Sequence, residues 1–163
     1  MSVPILLGID PGYDRLGWAV GSVHLHRLHI TEYGTIVTDR TATIFSRFQE
    51  ILIKLQAVLT THQPNELAIE TLFFSNNKTT AMRVSETRGL IIGQCLSAGL
   101  SIHEYNPTQI KQTATGSGKA DKRMMAKMIA LQTNITVRDT LDDAVDAVAV
   151  LLTHSLLRNS SQL

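Results

Sequence analysis

The order of apolar and polar positions along this 163-residue chain predicts five strands. Apolar runs that end at turn-forming residues, such as 3–10 before Pro11-Gly12, are typical of buried strands. The predicted strands are 3–10, 16–23, 25–37, 66–70 and 101–105. We expect the turn between the second and third strands near Val23 and His24.

Apolar residues at helical spacing predict helices between and after these strands. The predicted helices are 43–62, 79–98, 121–131 and 141–157, with a further short helix over 108–113. Three strands in a meander followed by alternating helices and strands predict an α/β protein, with a mixed sheet covered by helices on both faces. The length favours one domain over residues 1–163.

Four carboxylates lie where apolar runs meet polar sequence. Asp10 and Glu70 end predicted strands, and Asp143 and Asp146 lie one helical turn apart at the start of the last predicted helix. Taken separately, these acids could form a turn, face solvent or favour a helix start. Because sites in open α/β sheets lie at the carboxyl ends of strands, their convergence indicates a shared cation site.

The composition of this acidic set predicts the metal and its chemistry. Oxygen ligands without His or Cys partners favour Mg²⁺ or Mn²⁺. Several carboxylates can hold two such ions about 3.5–4 Å apart, an arrangement that supports in-line displacement at phosphorus. The six histidines are scattered along the sequence, and we expect them to be surface or packed residues.

Charge is distributed unevenly although the net charge is only +1. Residues 78–127 carry a net charge of +5, which fits either contact with a phosphate backbone or a solvated face. Phe73 and Phe74 follow Glu70 in a polar loop, where they could stack on bases or anchor the loop. The single Cys95 fits a reducing cytosol, and no signal peptide or membrane-spanning run is predicted.

Several motifs together resemble the RuvC family of Holliday-junction resolvases, the crossover junction endodeoxyribonucleases. They are Gly8-Ile9-Asp10-Pro11-Gly12, Ala68-Ile69-Glu70-Thr71-Leu72-Phe73, Arg88-Gly89, Ile110-Lys111-Gln112-Thr113 and Asp143-Ala144-Val145-Asp146-Ala147. The resemblance runs from about residue 4 to 155. It implies a ribonuclease H-like (RNase H-like) fold and a Mg²⁺-dependent homodimer that makes two symmetric nicks in four-way junction DNA, in recombination and repair.

The resemblance also assigns roles to individual residues. It implies catalytic and metal-binding roles for Asp10, Glu70, Asp143 and Asp146, and DNA-binding roles for Phe73, Lys111 and Lys122. Lys119 is extra or shifted relative to the family pattern, and we predict that it also binds DNA. The resemblance further implies a cytoplasmic protein that works with the RuvA–RuvB branch-migration complex, and a dimer contact through helix 79–98. That helix could equally pack within its own chain. The alternatives are a related nuclease that acts on structured RNA and a junction-binding protein that does not cleave.

Overall fold

The computed structural model of the protein describes residues 3–72, 78–136 and 143–160. Within these residues the chain forms strands and helices in the order βββαβαβααα. The strands are β1 (Ile5–Asp10), β2 (Arg15–His24), β3 (Arg27–Val37), β4 (Glu66–Glu70) and β5 (Ser101–Tyr105). The helices are α1 (Ile44–His62), α2 (Lys78–Ser97), α3 (Pro107–Thr115), α4 (Lys122–Gln132) and α5 (Asp143–Ser160).

The strands form one mixed sheet in the order β3-β2-β1-β4-β5. β2 pairs antiparallel with both β1 and β3, whereas β4 pairs parallel with both β1 and β5. The parallel pairs require crossover connections, which α1 and α2 provide. The carboxyl ends of β1, β4 and β5 therefore lie at the same edge of the sheet, and the predicted mixed-sheet fold is confirmed.

Two hydrophobic clusters cover the two faces of the sheet. Leu7 and Ile9 of β1 pack in the cluster that includes α1 and α2, whereas Leu6 packs with α3, α4 and α5. Successive side chains of a strand point to opposite faces, so Asp10 lies on the α5 face with Leu6. The same alternation in β4 places Glu70 on that face, together with Ala68.

Side-chain caps fix the starts of three helices. The side chains of Thr43, Asn106 and Asp121 accept hydrogen bonds from the backbone N–H groups of Ser46, Gln109 and Met124. Such caps satisfy N–H groups that have no partner inside the helix. Pro107 follows Asn106 at the first helical position, where its missing N–H costs nothing. β5 therefore ends and α3 begins within two residues.

The predicted position of the first hairpin turn is wrong by about two residues. The strands extend to His24 and resume at Arg27, so Leu25 and His26 form the turn. Both have positive φ angles, 48° and 64°, as a two-residue hairpin turn requires. Glycine or asparagine usually occupies such positions, and the absence of both residue types hid the turn from the sequence pattern.

Helix α5 lies unusually close to the sheet. A Cβ atom at Gly8 of β1 would lie 2.6 Å from the carbonyl oxygen of Ala147 and 2.7 Å from Cβ of Leu151. A Cβ atom at Gly17 of β2 would lie 1.7 Å from the carbonyl oxygen of Asp143. Glycine at these two positions therefore lets the start of α5 reach β1 and β2.

We expect Gly8→Ala to lower the free energy of unfolding by about 1–3 kcal/mol, because the added methyl group must push α5 away from β1. Urea unfolding followed by circular dichroism measures the change. The control is Thr61→Ala, at an exposed position of α1. Because alanine favours a helix over threonine, this variant should keep or slightly gain stability. Equal stability of the two variants would contradict the close approach.

Candidate active site

The structure brings the four predicted carboxylates together on the α5 face of the sheet. Asp10 and Glu70 end the neighbouring parallel strands β1 and β4, and their side chains share a hydrogen bond. Asp143 and Asp146 lie in the first turn of α5. Carboxylate oxygens of Asp10, Asp143 and Asp146 all lie within 4.8 Å of one another. Glu70 joins this set through its contact with Asp10.

The crowding of these acids perturbs their ionisation. Burial, followed by the charges of Glu70 and Asp146, raises the pKa of Asp10 to about 8. The pKa of Glu70 is also raised, again chiefly by burial, although its hydrogen bond with Asp10 and the charge of Lys111 act in the opposite direction. Carboxylates this close cannot all ionise without a compensating positive charge. Either a retained proton or a bound cation must supply it.

Two arginines fix the elements that carry the acids. Nε of Arg15, at the start of β2, donates to a carboxylate oxygen of Asp143. Nε of Arg88, on α2, donates to the backbone carbonyl of Glu70 at 3.1 Å, while its guanidinium also pairs with Glu104 of β5. These contacts hold the start of α5 and the end of β4 in place without a bond to the side chain of Glu70.

A cleft of about 460 Å³ opens over the acids. Its lining combines Asp10, Glu70 and Asp146 with basic and apolar residues of α3, α4 and the segment between them. Those residues include Lys111 and Lys122, which therefore face the same space as the carboxylates. A cleft lined by both acids and lysines suits a phosphate group that meets a cation.

Lys119 is the third lysine that we predict to bind DNA. Lys119 is exposed in the segment between α3 and α4 and does not line the cleft. Phe73 and Phe74 lie outside the described residues. Thus Lys111 and Lys122 are the predicted DNA-binding residues that the structure brings to the carboxylates.

The donor atoms of the cluster fit a divalent metal ion. The ligand atoms available from Asp10, Asp143 and Asp146 are all carboxylate oxygens, and they are close enough for one ion to contact all three. Oxygen-only sites are typical of hard cations. A bound ion would also remove the electrostatic cost that raises the pKa of Asp10. The acidic cluster could therefore hold a metal ion.

A second cluster was missed by the sequence reasoning, which treated the histidines as scattered. Glu66 of β4, His103 of β5 and His154 of α5 meet at the other end of β4, and we call them the Glu66 cluster. Nε2 of His154 lies 2.8 Å from Oε2 of Glu66. Burial, partly offset by the hydrogen bond with Glu66, lowers the pKa of His154. The sequence carried one signal for Glu66. It precedes Glu70 by four residues of the same strand, so both side chains lie on the same face of the sheet.

The five-stranded mixed sheet, with carboxylates at the ends of two neighbouring strands and on a helix that crosses them, has the arrangement of the RNase H-like fold. The comparisons with known proteins agree with this fold. A family model described as "Crossover junction endodeoxyribonuclease RuvC" matches residues 6–154. The chain belongs to the RuvC family.

Individual relatives match over nearly their full length. The crossover junction endodeoxyribonuclease RuvC of Heliobacterium modesticaldum is 38% identical over 154 residues, which cover 93% of this chain and 95% of the relative. The protein of the same description from Pseudothermotoga lettingae is 37% identical over 155 residues, which cover 95% of this chain and 96% of the relative. The solved structure of RuvC from T. thermophilus in complex with Holliday junction substrate superposes with a TM-score of 0.90. It is 26% identical, and the match covers 97% of this chain and 96% of that one.

The raised pKa of Asp10 predicts that the metal-free protein loses stability as the pH rises. Asp10 ionises near 3.8 when unfolded and near 8 when folded, so the folded state binds the extra proton between these values. The free energy of unfolding should therefore fall from about pH 4 to about pH 8, by up to about 1.4 kcal/mol per pH unit. Asn cannot lose this proton, so Asp10→Asn should flatten the slope.

Urea unfolding in the presence of a chelator, repeated across this pH range, measures the effect. Asp39→Asn is the matched control, because Asp39 is an exposed acid whose pKa is lowered, chiefly by its hydrogen bonds with Thr41. This control should keep the wild-type slope. A slope that persists unchanged in Asp10→Asn would show that Asp10 does not hold the proton.

Proposed function

We propose that this protein is a metal-dependent endonuclease that resolves four-way DNA junctions by phosphodiester hydrolysis. The observation that carries this function is the family match over residues 6–154 together with an acidic cluster and two lysines in one cleft. The similar protein from T. thermophilus is bound to Holliday junction substrate. Resolution of such junctions places the enzyme in DNA recombination and repair.

The proposed cofactor is Mg²⁺, with two ions in each active site and Mn²⁺ as a substitute. The oxygen-only donor set supports a hard cation, and the number of nearby carboxylates supports more than one. Such ions, when bound, supply an activated water and stabilise charge on the leaving oxygen. Asp10, Glu70, Asp143 and Asp146 are the proposed ligands.

The protein's own side chains then position the substrate and the ligands. Lys111 and Lys122 line the same cleft as the carboxylates, where their charges can hold phosphates next to the scissile one. Arg15 neutralises part of the charge of Asp143 and fixes its carboxylate. We assign Lys119 a contact farther along the DNA backbone, because it is exposed beside the cleft. Phe73 keeps its proposed role in entering the junction.

The proposal extends to assembly. Two symmetric nicks need two active sites, and α2 offers a surface for a second copy of the chain. Met82 and Leu96 on this helix are 65% and 56% exposed, and apart from the neighbouring backbone of α2 itself no described atom lies within 4 Å of a Cβ built at Gly89 or Gly93. We therefore propose a homodimer through α2.

Further parts of the proposal concern partners, domain and location. We infer that residues 1–163 form one nuclease domain, because the hydrophobic clusters on both faces share one sheet.

Cooperation with a RuvA–RuvB complex and a cytoplasmic location would follow from action on branched chromosomal DNA. Among the described residues, no helix has the length and hydropathy needed to cross a bilayer.

Asp10→Asn should reduce cleavage of a four-way junction by at least about a hundredfold, because it removes a charged ligand from the centre of the acidic cluster. Cleavage of a labelled junction with Mg²⁺, with and without a chelator, measures the rate. Gel-shift titration of the same junction should show binding within about threefold of wild type, since Asp10 is not a proposed phosphate contact.

Asp39→Asn serves again as the control, because Asp39 does not line the cleft. It should cut at the wild-type rate. A structured RNA of similar length, tested in parallel, separates junction cleavage from the alternative RNase activity. If Asp10→Asn cut at a normal rate, the assignment of the acidic cluster as the catalytic centre would be wrong.

Lys111→Ala and Lys122→Ala should each make junction binding less sensitive to salt. Affinity falls as salt rises, and each phosphate contact contributes about one unit to the magnitude of the slope of log affinity against log salt concentration. The magnitude of this slope should therefore be smaller by about 1 in each variant. Lys54→Ala is the control, because Lys54 lies on α1 and bonds Glu50 at 2.6 Å. Slopes equal to wild type in both cleft variants would remove these lysines from the DNA interface.

A further inference from the structure

The Glu66 cluster lies at the opposite end of the same two elements that carry the active site. Glu66 begins β4 and Glu70 ends it, so their Cα atoms are about 13 Å apart at a strand's rise per residue. His154 follows Asp143 by eleven residues of α5, which is about three turns of helix and hence the same side. The cluster is therefore separate from the acidic cluster over Asp10.

The distances within the cluster suit a tetrahedral metal ion. Oε2 of Glu66 lies 2.8 Å from Nε2 of His154 and 3.7 Å from Nε2 of His103. One ligand atom from each residue lies within 4.8 Å of the others. Ligands that bind zinc at its usual bond lengths are about 3.3 Å apart in a tetrahedron, and both distances from Oε2 of Glu66 lie within about half an ångström of that value.

Tyr105 allows His154 to become a ligand without losing a proton. Its hydroxyl lies 2.8 Å from Nδ1 of His154 in the buried interior. When Nε2–H of His154 donates to Glu66, the tyrosine hydroxyl can donate to Nδ1. When Nε2 binds a metal, the same hydroxyl can accept from Nδ1–H, because a hydroxyl is both donor and acceptor. Such a partner on the second ring nitrogen is typical of histidine ligands.

The other groups around the cluster leave an open coordination position. Arg158 donates to Oε1 of Glu66 at 2.6 Å, so Oε2 remains the ligand oxygen. The histidine rings lie 4.5 Å apart between centroids, and 40% of the His103 side chain is exposed. A surface pocket lined by Ser101, Gln109 and the cluster opens beside them, where water can supply a fourth ligand.

We propose that Glu66, His103 and His154 form a binding site for a divalent transition-metal ion of the zinc type. Two imidazoles and one carboxylate are ligands that zinc accepts and that Mg²⁺ does not prefer. The ion would join β4, β5 and α5 at the end away from the active site. The site acts as a brace between these elements and does not depend on the nuclease function.

The experiment is a zinc titration in excess Mg²⁺, made on wild type and on Asp146→Asn so that zinc at the Glu66 cluster is distinguished from zinc at the acidic cluster. A chromogenic chelator that competes for Zn²⁺ reports the number of ions and the affinity. Wild type should retain one Zn²⁺ per chain, and Asp146→Asn should retain it too. His103→Asn removes a partly exposed ligand and should weaken zinc binding at least about tenfold. Tyr105→Phe keeps the shape of the core and should weaken it about ten- to a hundredfold.

His26→Asn is the matched control, because it replaces an exposed histidine in a hairpin turn whose positive φ suits asparagine. Its zinc affinity should equal that of wild type. Zinc should also raise the melting temperature of wild type and His26→Asn but not that of His103→Asn. Zinc binding that survives in His103→Asn, or that disappears in Asp146→Asn, would overturn the proposal.

Discussion

The contact between α5 and the strands β1 and β2 is the constraint on which the acidic cluster depends. At Gly8 and Gly17 the helix backbone occupies the space that a Cβ atom would take. This approach puts the first turn of α5 beside the end of β1, and so brings Asp143 and Asp146 to Asp10. A helix held farther out by ordinary side chains would leave the acids on separate surfaces.

The acids in turn impose an electrostatic cost on the fold. Burial, together with the charges of the neighbouring carboxylates, raises the pKa of Asp10 to about 8. Arg15 compensates Asp143, and Lys111 compensates Glu70, but Asp10 has burial and three like charges acting on it in the same direction. Local unfavourable energy of this kind is typical of functional sites. A cation bound among these carboxylates would offset this unfavourable energy.

Much of the fold was predictable because its signals are local. Apolar periodicity and turn residues predicted the strands and helices, and caps such as Asn106-Pro107 fixed their limits to within a few residues. The first hairpin turn was misplaced because Leu25 and His26 adopt positive φ without being turn residues by type. There the pairing of β2 with β3 overrides local preference, and no local pattern reports such pairing.

The sequence by itself determined the acidic cluster in outline, because strand ends and helix starts can be located from local patterns. It also determined the family, through motifs spread over most of the chain. Only the tertiary structure decided how close the acids come and that Arg88 holds the carbonyl of Glu70. It alone assembled the Glu66 cluster, since Glu66, His103 and His154 come from three elements far apart in the chain. Such contacts arise from the register between strands and the placement of a helix, which are long-range properties that no short stretch of sequence encodes.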